Sequence, residues 1–194
     1  YHAMYGPDHV PAARRDAAER TNAHPVYNAF MNNKIAAAFQ QDEVRDKVIP
    51  AYMGLIKQCD DQLGRILDTL EESGQLDTTM IVLTSDHGDY LGDHWLGEKD
   101  LFHEQSVKVP MIIYDPRSDA DCTRATTCDA LVECIDLAAT FIEMSGGDLP
   151  EHWLEGQSLV PLLAGDTPQD WRQHAIAEYN YSVTPMAGKL GVSD

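Results

Sequence analysis

An α/β domain, with helices packed on a mostly parallel sheet, is predicted by three observations. An amphipathic run from Ala51 to Ser73 leads through a short link, Gln75 to Thr79, into the apolar run Met80-Ile81-Val82-Leu83. A second apolar run, Val109 to Tyr114, follows it. A second amphipathic run, Asp129 to Met144, comes after that. Helix, brief link and β-branched strand in this order are the rhythm of strands joined by helices.

The elements follow from local chemistry. Tyr5-Gly6-Pro7-Asp8 and Pro11 are turn signals, so the first residues read as irregular. Asn28 to Phe39 reads as helical, with Phe30, Ile35 and Phe39 as its apolar contacts. Asp42 is placed to cap a helix beginning at Glu43. In Ala51–Ser73, residues Tyr52, Leu55, Ile56, Cys59, Leu63, Ile66, Leu67 and Leu70 recur at three- and four-residue steps and predict one apolar face. Asp61 and Arg65 have the spacing of an i,i+4 pair, and Gly74 supplies the left-handed stop. Asp60-Asp61 reads as a solvated helix face, because adjacent helical residues point about 100° apart. Asp129–Met144 is expected to bury Leu131, Val132, Ile135, Leu137, Ala138, Phe141 and Ile142 and to end at Gly146-Gly147. Gly156 to Gly165 reads as a turn and short helix. Ala175-Ile176-Ala177-Glu178-Tyr179 alternates as a strand does, and Thr184 to Asp194 reads as a loop.

The charge is uneven. The chain of 194 residues carries −18, yet residues 1–50 hold six acids and six bases, so the whole excess lies beyond Pro50. Such a surface repels nucleic acid and anionic membranes, and neither is expected as a partner. No apolar run approaches the roughly 20 residues of a membrane span, and no stretch of these residues reads as a signal peptide. Cys59, Cys122, Cys128 and Cys134 match no zinc spacing and read as free thiols in a reducing compartment, with Cys59 as a small core residue. The expected location is the cytoplasm, with the periplasm as the alternative. The sequence is compatible with a homo-oligomer.

The stretch Met80–Pro110 carries the chemistry. At the end of its strand an aspartate and a histidine stand side by side in Thr84-Ser85-Asp86-His87-Gly88, where α/β sheets bind their ligands. Asp86 offers a hard oxygen and His87 a borderline nitrogen, a pair suited to one divalent cation; Ca2+ or Mn2+ is expected first, with Mg2+ or Zn2+ as alternatives. Lys99, twelve residues after His87, can meet an anionic substrate or a leaving oxygen as a point charge. His94 and His103 each read as ligand, general acid or packing.

These residues carry a family resemblance. Ile81-Val82-Leu83-Thr84-Ser85-Asp86-His87-Gly88-Asp89, Leu91-Gly92-Asp93-His94, Lys99, Phe102-His103-Glu104 and Lys108-Val109-Pro110 resemble the C-terminal signature of the sulfatases, in the alkaline phosphatase superfamily. Tyr52 to Ile56 with Asp60 to Gly64 resembles the preceding helix. Asp136 to Phe141 and Gly156 to Leu163 resemble later elements. His94 to Asp100 and Glu178 to Ser182 most resemble the phosphonate monoester hydrolase and phosphodiesterase branch. The resemblance implies an alkaline phosphatase-like sheet, here incomplete. It implies a small anionic ester as substrate and one divalent cation, with Asp86 and His87 among its ligands. It further implies that Lys99 contacts the transferred group, and that the nucleophile is a formylglycine made from cysteine.

The departures are as informative. None of the four cysteines lies in a Cys-x-Pro-Ser-Arg setting, and the first-strand aspartates are missing. The chain is therefore expected to be the C-terminal part of a catalytic domain over 1–165, with a smaller subdomain starting over 166–194, and to be inactive alone. The parent is expected to hydrolyse sulfate or phosphate and phosphonate esters. Rivals are a two-metal phosphodiesterase or phosphomutase with a serine or threonine nucleophile, and a non-catalytic metal-binding module.

Overall fold

The structure, a computed structural model, describes residues 1–148 and 154–181. These divide into two compact units: Tyr1–Thr69, His87–Pro110 and residues 178–181 in one, Leu70–Asp86 and Met111–Ala177 in the other. Of the 166–194 segment expected to open a subdomain, residues 182–194, with Ser182 and the Thr184–Asp194 loop, lie outside the described residues.

The first unit is helical. The helix predicted over Asn28–Phe39 is two, α1 (Pro25–Met31) and α2 (Lys34–Phe39). The break falls at Asn33, whose extended backbone lets its side chain accept from the Ala36 N–H at 2.7 Å and cap α2. Phe30, Met31, Tyr90 and Leu96 form the buried core, with Tyr27, Trp95, Leu101 and Tyr181 against it.

The long helix α3 (Asp42–Glu72) runs through Pro50, so the two helices expected around that proline are one, with Asp42 inside its first turn. Its period is as predicted, but its buried residues are Arg45, Ile49, Pro50 and Gly54. Leu55, Ile56 and Ile66 are 58%, 54% and 57% exposed, and Cys59 is exposed rather than a core residue. Burial needs a covering element, and the N-terminal half of α3 has one: the Tyr1 carbonyl lies 2.5 Å from where a Gly54 Cβ would stand. Asp61 pairs with Lys57 and accepts from the Tyr1 hydroxyl, while Arg65 bonds Gln62 at 2.8 Å in place of the expected Asp61 partner. Gly74, with φ of +68°, ends the helix as expected. The Gln75 N–H closes onto the Leu70 carbonyl at 2.8 Å.

The second unit holds the strands β1 (Ile81–Thr84) and β2 (Met111–Tyr114). The α/β class stands, but this pair is antiparallel, Ile81 opposite Tyr114 and Thr84 opposite Met111, where a mostly parallel sheet was expected. A parallel pair needs a crossover helix between its strands. Residues 85–110 carry only a 3-10 turn, Asp93–Trp95, and the one-turn helix α4 (Glu104–Val107).

Helix α5 (Asp136–Met144) starts later than Asp129 because Asp136 is a buried hub. Its carboxylate accepts the Glu133 and Gln157 N–H groups at 2.7 and 2.8 Å and takes both arms of the Arg172 guanidinium. Thr140 donates to the Asp136 carbonyl and accepts from the Leu159 N–H, 2.7 and 2.8 Å. Ala139 and Thr140 are buried, whereas Leu131, Ile135 and Phe141 of the predicted face are exposed. Beyond α5, α6 (Val160–Leu163) and Trp171 complete a core of Leu159, Leu162 and Trp171. The strand expected at Ala175–Tyr179 does not form; Ile176 is 82% exposed, and its N–H bonds the Glu133 side chain instead of a strand. Among the described residues no helix is long and apolar enough to cross a membrane.

Replacing Asp136 with Asn should lower stability by about 3–5 kcal/mol, the cost of breaking a buried ion pair and stranding its partner. Urea unfolding of the variant against the parent measures it.

Candidate functional site

β1 delivers its chain to Ser85 and Asp86. Asp86 is exposed, is the last residue of the strand-bearing unit, and lies 3.5 Å from the Ser85 hydroxyl. In that unit the Cys134 thiol donates to the Ser85 carbonyl at 3.7 Å. His87 opens the loop segment of the helical unit.

His87 Nδ1 lies 2.8 Å from the Gly88 carbonyl, which can only accept, so this nitrogen carries the proton. Nε2 is then the lone-pair nitrogen, and the Lys99 ammonium donates to it at 2.7 Å. The structure thus joins two of the predicted site residues through the imidazole nitrogen that would ligate a cation. What holds them is backbone. The Gly88 N–H donates to the Ser106 carbonyl at 2.8 Å, and a Cβ on Gly88 would stand 1.9 Å from the Gln105 carbonyl oxygen. The Ser106 side chain, buried in α4, donates to the Lys99 carbonyl. The next carbonyl, of Asp100, accepts from the Tyr181 hydroxyl at 3.0 Å.

Between these anchors the loop is strained. Leu91, His94, Trp95 and Glu98 all have left-handed backbones, each costing on the order of 1 kcal/mol. Arginines hold the shape. Arg15 donates to the Gly92 carbonyl at 2.8 Å and to that of Phe39, and buried Arg45 reaches the Leu91 and Pro11 carbonyls at 3.0 and 2.9 Å. The Arg15 and Arg20 guanidiniums lie over the Trp95 ring, 5.2 and 5.1 Å from its centre.

His94 and His103 form a separate cluster. Their rings stack at 4.2 Å, His94 Nδ1 lies 2.6 Å from Glu19, and His103 Nδ1 lies 2.9 Å from the Tyr90 hydroxyl. Burial pushes the Tyr90 hydroxyl up to about 12, so it keeps its proton. The Tyr27 hydroxyl donates to the His94 carbonyl. Burial raises Asp89 as well, and its carboxylate accepts the Leu91 N–H at 2.8 Å, shaping the turn after Gly88.

As metal donors, Asp86 and His87 supply one oxygen and one nitrogen, which fit part of a divalent site but fall short of its usual four to eight ligands. Among the described residues no group of three or more His, Cys, Asp or Glu is gathered to hold an ion. Ser106, Tyr90, Glu19 and Tyr181 are the contributors that residue type did not reveal. Only Tyr181 lay in a noted motif, and it had no role there.

Comparison with known proteins gives a consistent result. The Sulfatase family profile matches residues 2–147. The multifunctional alkaline phosphatase superfamily protein PehA of Trinickia caryophylli is 34% identical over 93% of this chain and 37% of its own length. The N-acetylglucosamine-6-O-sulfatase of Bacteroides thetaiotaomicron is 36% identical over 66% of this chain and 23% of its own. Among solved structures, the phosphonate monoester hydrolase SpPMH from Silicibacter pomeroyi superposes with a TM-score of 0.79 at 32% identity, over 88% of this chain and 35% of that one. The chain therefore spans little more than a third of the length of these relatives at most.

Two outcomes follow from the loop. Gly88→Ala must push the 105–106 backbone away and should cost about 1–3 kcal/mol, read by denaturant unfolding. His103 is held below the ordinary imidazole value of 6.5 first by burial and then by His94, with Glu19 pulling the other way. The unfolded chain then takes up that proton more readily than the folded one. The stability contributed by neutral His103 is complete above the unfolded value and is lost as pH falls through the lower folded value. Unfolding midpoints should therefore drop on acidification from about pH 7.5 to about pH 5, with a shallower drop in His103→Gln, which keeps an acceptor for Tyr90 but cannot protonate there. Equal slopes in the two proteins would remove His103 from the explanation.

Proposed function

The chain belongs to the sulfatase family, and on that premise we propose that it is part of a metal-dependent hydrolase of sulfate or of phosphate and phosphonate esters. The observation that supports this reading best is the contact of Lys99 Nζ with His87 Nε2 at 2.7 Å, which brings a cationic donor to the nitrogen that suits a metal.

The roles follow from the groups. The Asp86 carboxylate and His87 Nε2 bind the divalent cation, Ca2+ or Mn2+ by preference, with ligands from outside these 194 residues completing it. When bound, that cation withdraws charge from a sulfuryl or phosphoryl oxygen. His87 is held by its own Nδ1–H on the Gly88 carbonyl, so its lone pair stays aimed outward. Lys99 is exposed, and with the His87 lone pair given to the cation its ammonium N–H groups are released to bind an ester oxygen or stabilise the leaving group. The nucleophile is a formylglycine contributed by sequence outside this chain. The acidic balance of the chain disfavours polyanions and leaves small anionic esters drawn in by the cation and Lys99.

In the full-length enzyme, Asp86→Ala should remove most of the bound metal and lower turnover by several orders of magnitude. Elemental analysis beside hydrolysis of an aryl sulfate, a phosphodiester and a phosphonate monoester measures both effects and ranks the substrate classes. Undiminished turnover, or metal retained at one ion per chain, would sink the assignment of Asp86.

A further inference from the structure

Lys99 sits in a stretch without regular structure, residues 96–102, so neither helix nor strand fixes its backbone. Two hydroxyls from elsewhere in the chain do. The Ser106 hydroxyl donates to the Lys99 carbonyl, which also accepts the Leu101 N–H at 2.8 Å. The Tyr181 hydroxyl donates to the following carbonyl, of Asp100, at 3.0 Å. The first carbonyl belongs to the peptide that links Lys99 to Asp100 and the second to the peptide after it, so together they fix the two peptide planes that follow the lysine Cα.

Both hydroxyls are themselves anchored. Ser106 is 4% exposed, and its own carbonyl receives the Gly88 N–H at 2.8 Å. One residue thereby ties the turn beside His87 to the loop of Lys99. The Tyr181 ring stands edge-on to Phe30 at 5.6 Å and packs on the core of Phe30, Met31, Tyr90 and Leu96. Burial and the nearby Asp100 charge raise its hydroxyl above the ordinary phenol value, which keeps the donated proton in place.

We propose that Ser106 and Tyr181 are positioning residues that act through Lys99, holding its ammonium beside His87 where it can meet the transferred group. This rests on the reading of Lys99 as the substrate contact. The hydroxyls touch no reacting atom; they fix two successive carbonyls. Each removes one rotational freedom from a loop whose lysine would otherwise sample many directions.

The test is a pair of double-mutant cycles in the full-length enzyme, with para-nitrophenyl sulfate and a para-nitrophenyl phosphonate monoester as probes. Tyr181→Phe keeps the ring and its packing and removes only the donor. Ser106→Ala does the same at the buried site. Each single variant should lower kcat by roughly three- to tenfold, the effect of one net hydrogen bond, with KM changed less than about twofold. Neither should lower it further in the Lys99→Ala background, because the group they orient is gone. A residue that merely stabilises the fold would give losses that multiply with that of Lys99→Ala, and such additivity overturns the proposal. So does a wild-type kcat in Tyr181→Phe, which stands alone should Ser106→Ala fail to fold. Wild-type turnover in Lys99→Ala overturns the proposal together with the role of Lys99, and leaves the metal-ligand assignment to be decided by Asp86→Ala.

Discussion

The hydrogen bond from the Gly88 N–H to the Ser106 carbonyl closes the loop that carries the candidate chemistry. It can form only because residue 88 has no Cβ, since one would stand 1.9 Å from the Gln105 carbonyl oxygen. Once this closure exists, α4 lies against the turn beside His87, and the Ser106 hydroxyl comes within reach of Lys99. The contact of Lys99 with His87 follows from that proximity. A glycine placed for close approach, more than any side chain, makes the site possible.

The loop is held by directed polar contacts in place of apolar burial. Four non-glycine left-handed residues between Leu91 and Glu98 oppose its conformation. Arg15 and Arg45 offset this by donating to backbone carbonyls of the loop and of its neighbours, so the carbonyls of a tight irregular path are not left bare. Arg45 is buried as a charge, and its N–H groups go to the Leu91 and Pro11 carbonyls. Strain of this kind clusters where side chains must be presented in a direction that regular structure cannot supply.

The part of this arrangement that could be read in the sequence is the part set locally. The end of β1 immediately before Ser85 was legible because an apolar β-branched run that stops at polar residues needs no partner to mark it. Helix α3 was legible because a period near 3.6 needs no partner, but which of its faces is covered does need one. That is why Leu55 and Ile66 keep their pattern and stay exposed. The antiparallel pairing of β1 with β2 and the missing strand at Ala175–Tyr179 have the same origin, for pairing is a property of two segments and alternation a property of one. Ser106 and Tyr181 were invisible for a further reason: a serine and a tyrosine are common, and their partners lie 7 and 81 positions away.

The two histidine environments show why residue type alone leaves roles open. His87, His94 and His103 stand within seventeen positions of one another, and each has a different proton arrangement. His87 has its Nδ1 proton on a carbonyl and its lone pair toward a cation. His103 Nδ1 shares a hydrogen bond with the Tyr90 hydroxyl, and burial followed by His94 disfavours its charged form. His94 turns Nδ1 to the Glu19 carboxylate. Of the three, His87 is the one whose lone-pair nitrogen meets a cationic side chain, the Lys99 ammonium. The partners of the two ring nitrogens, and not the residue type, set what each imidazole has left to offer.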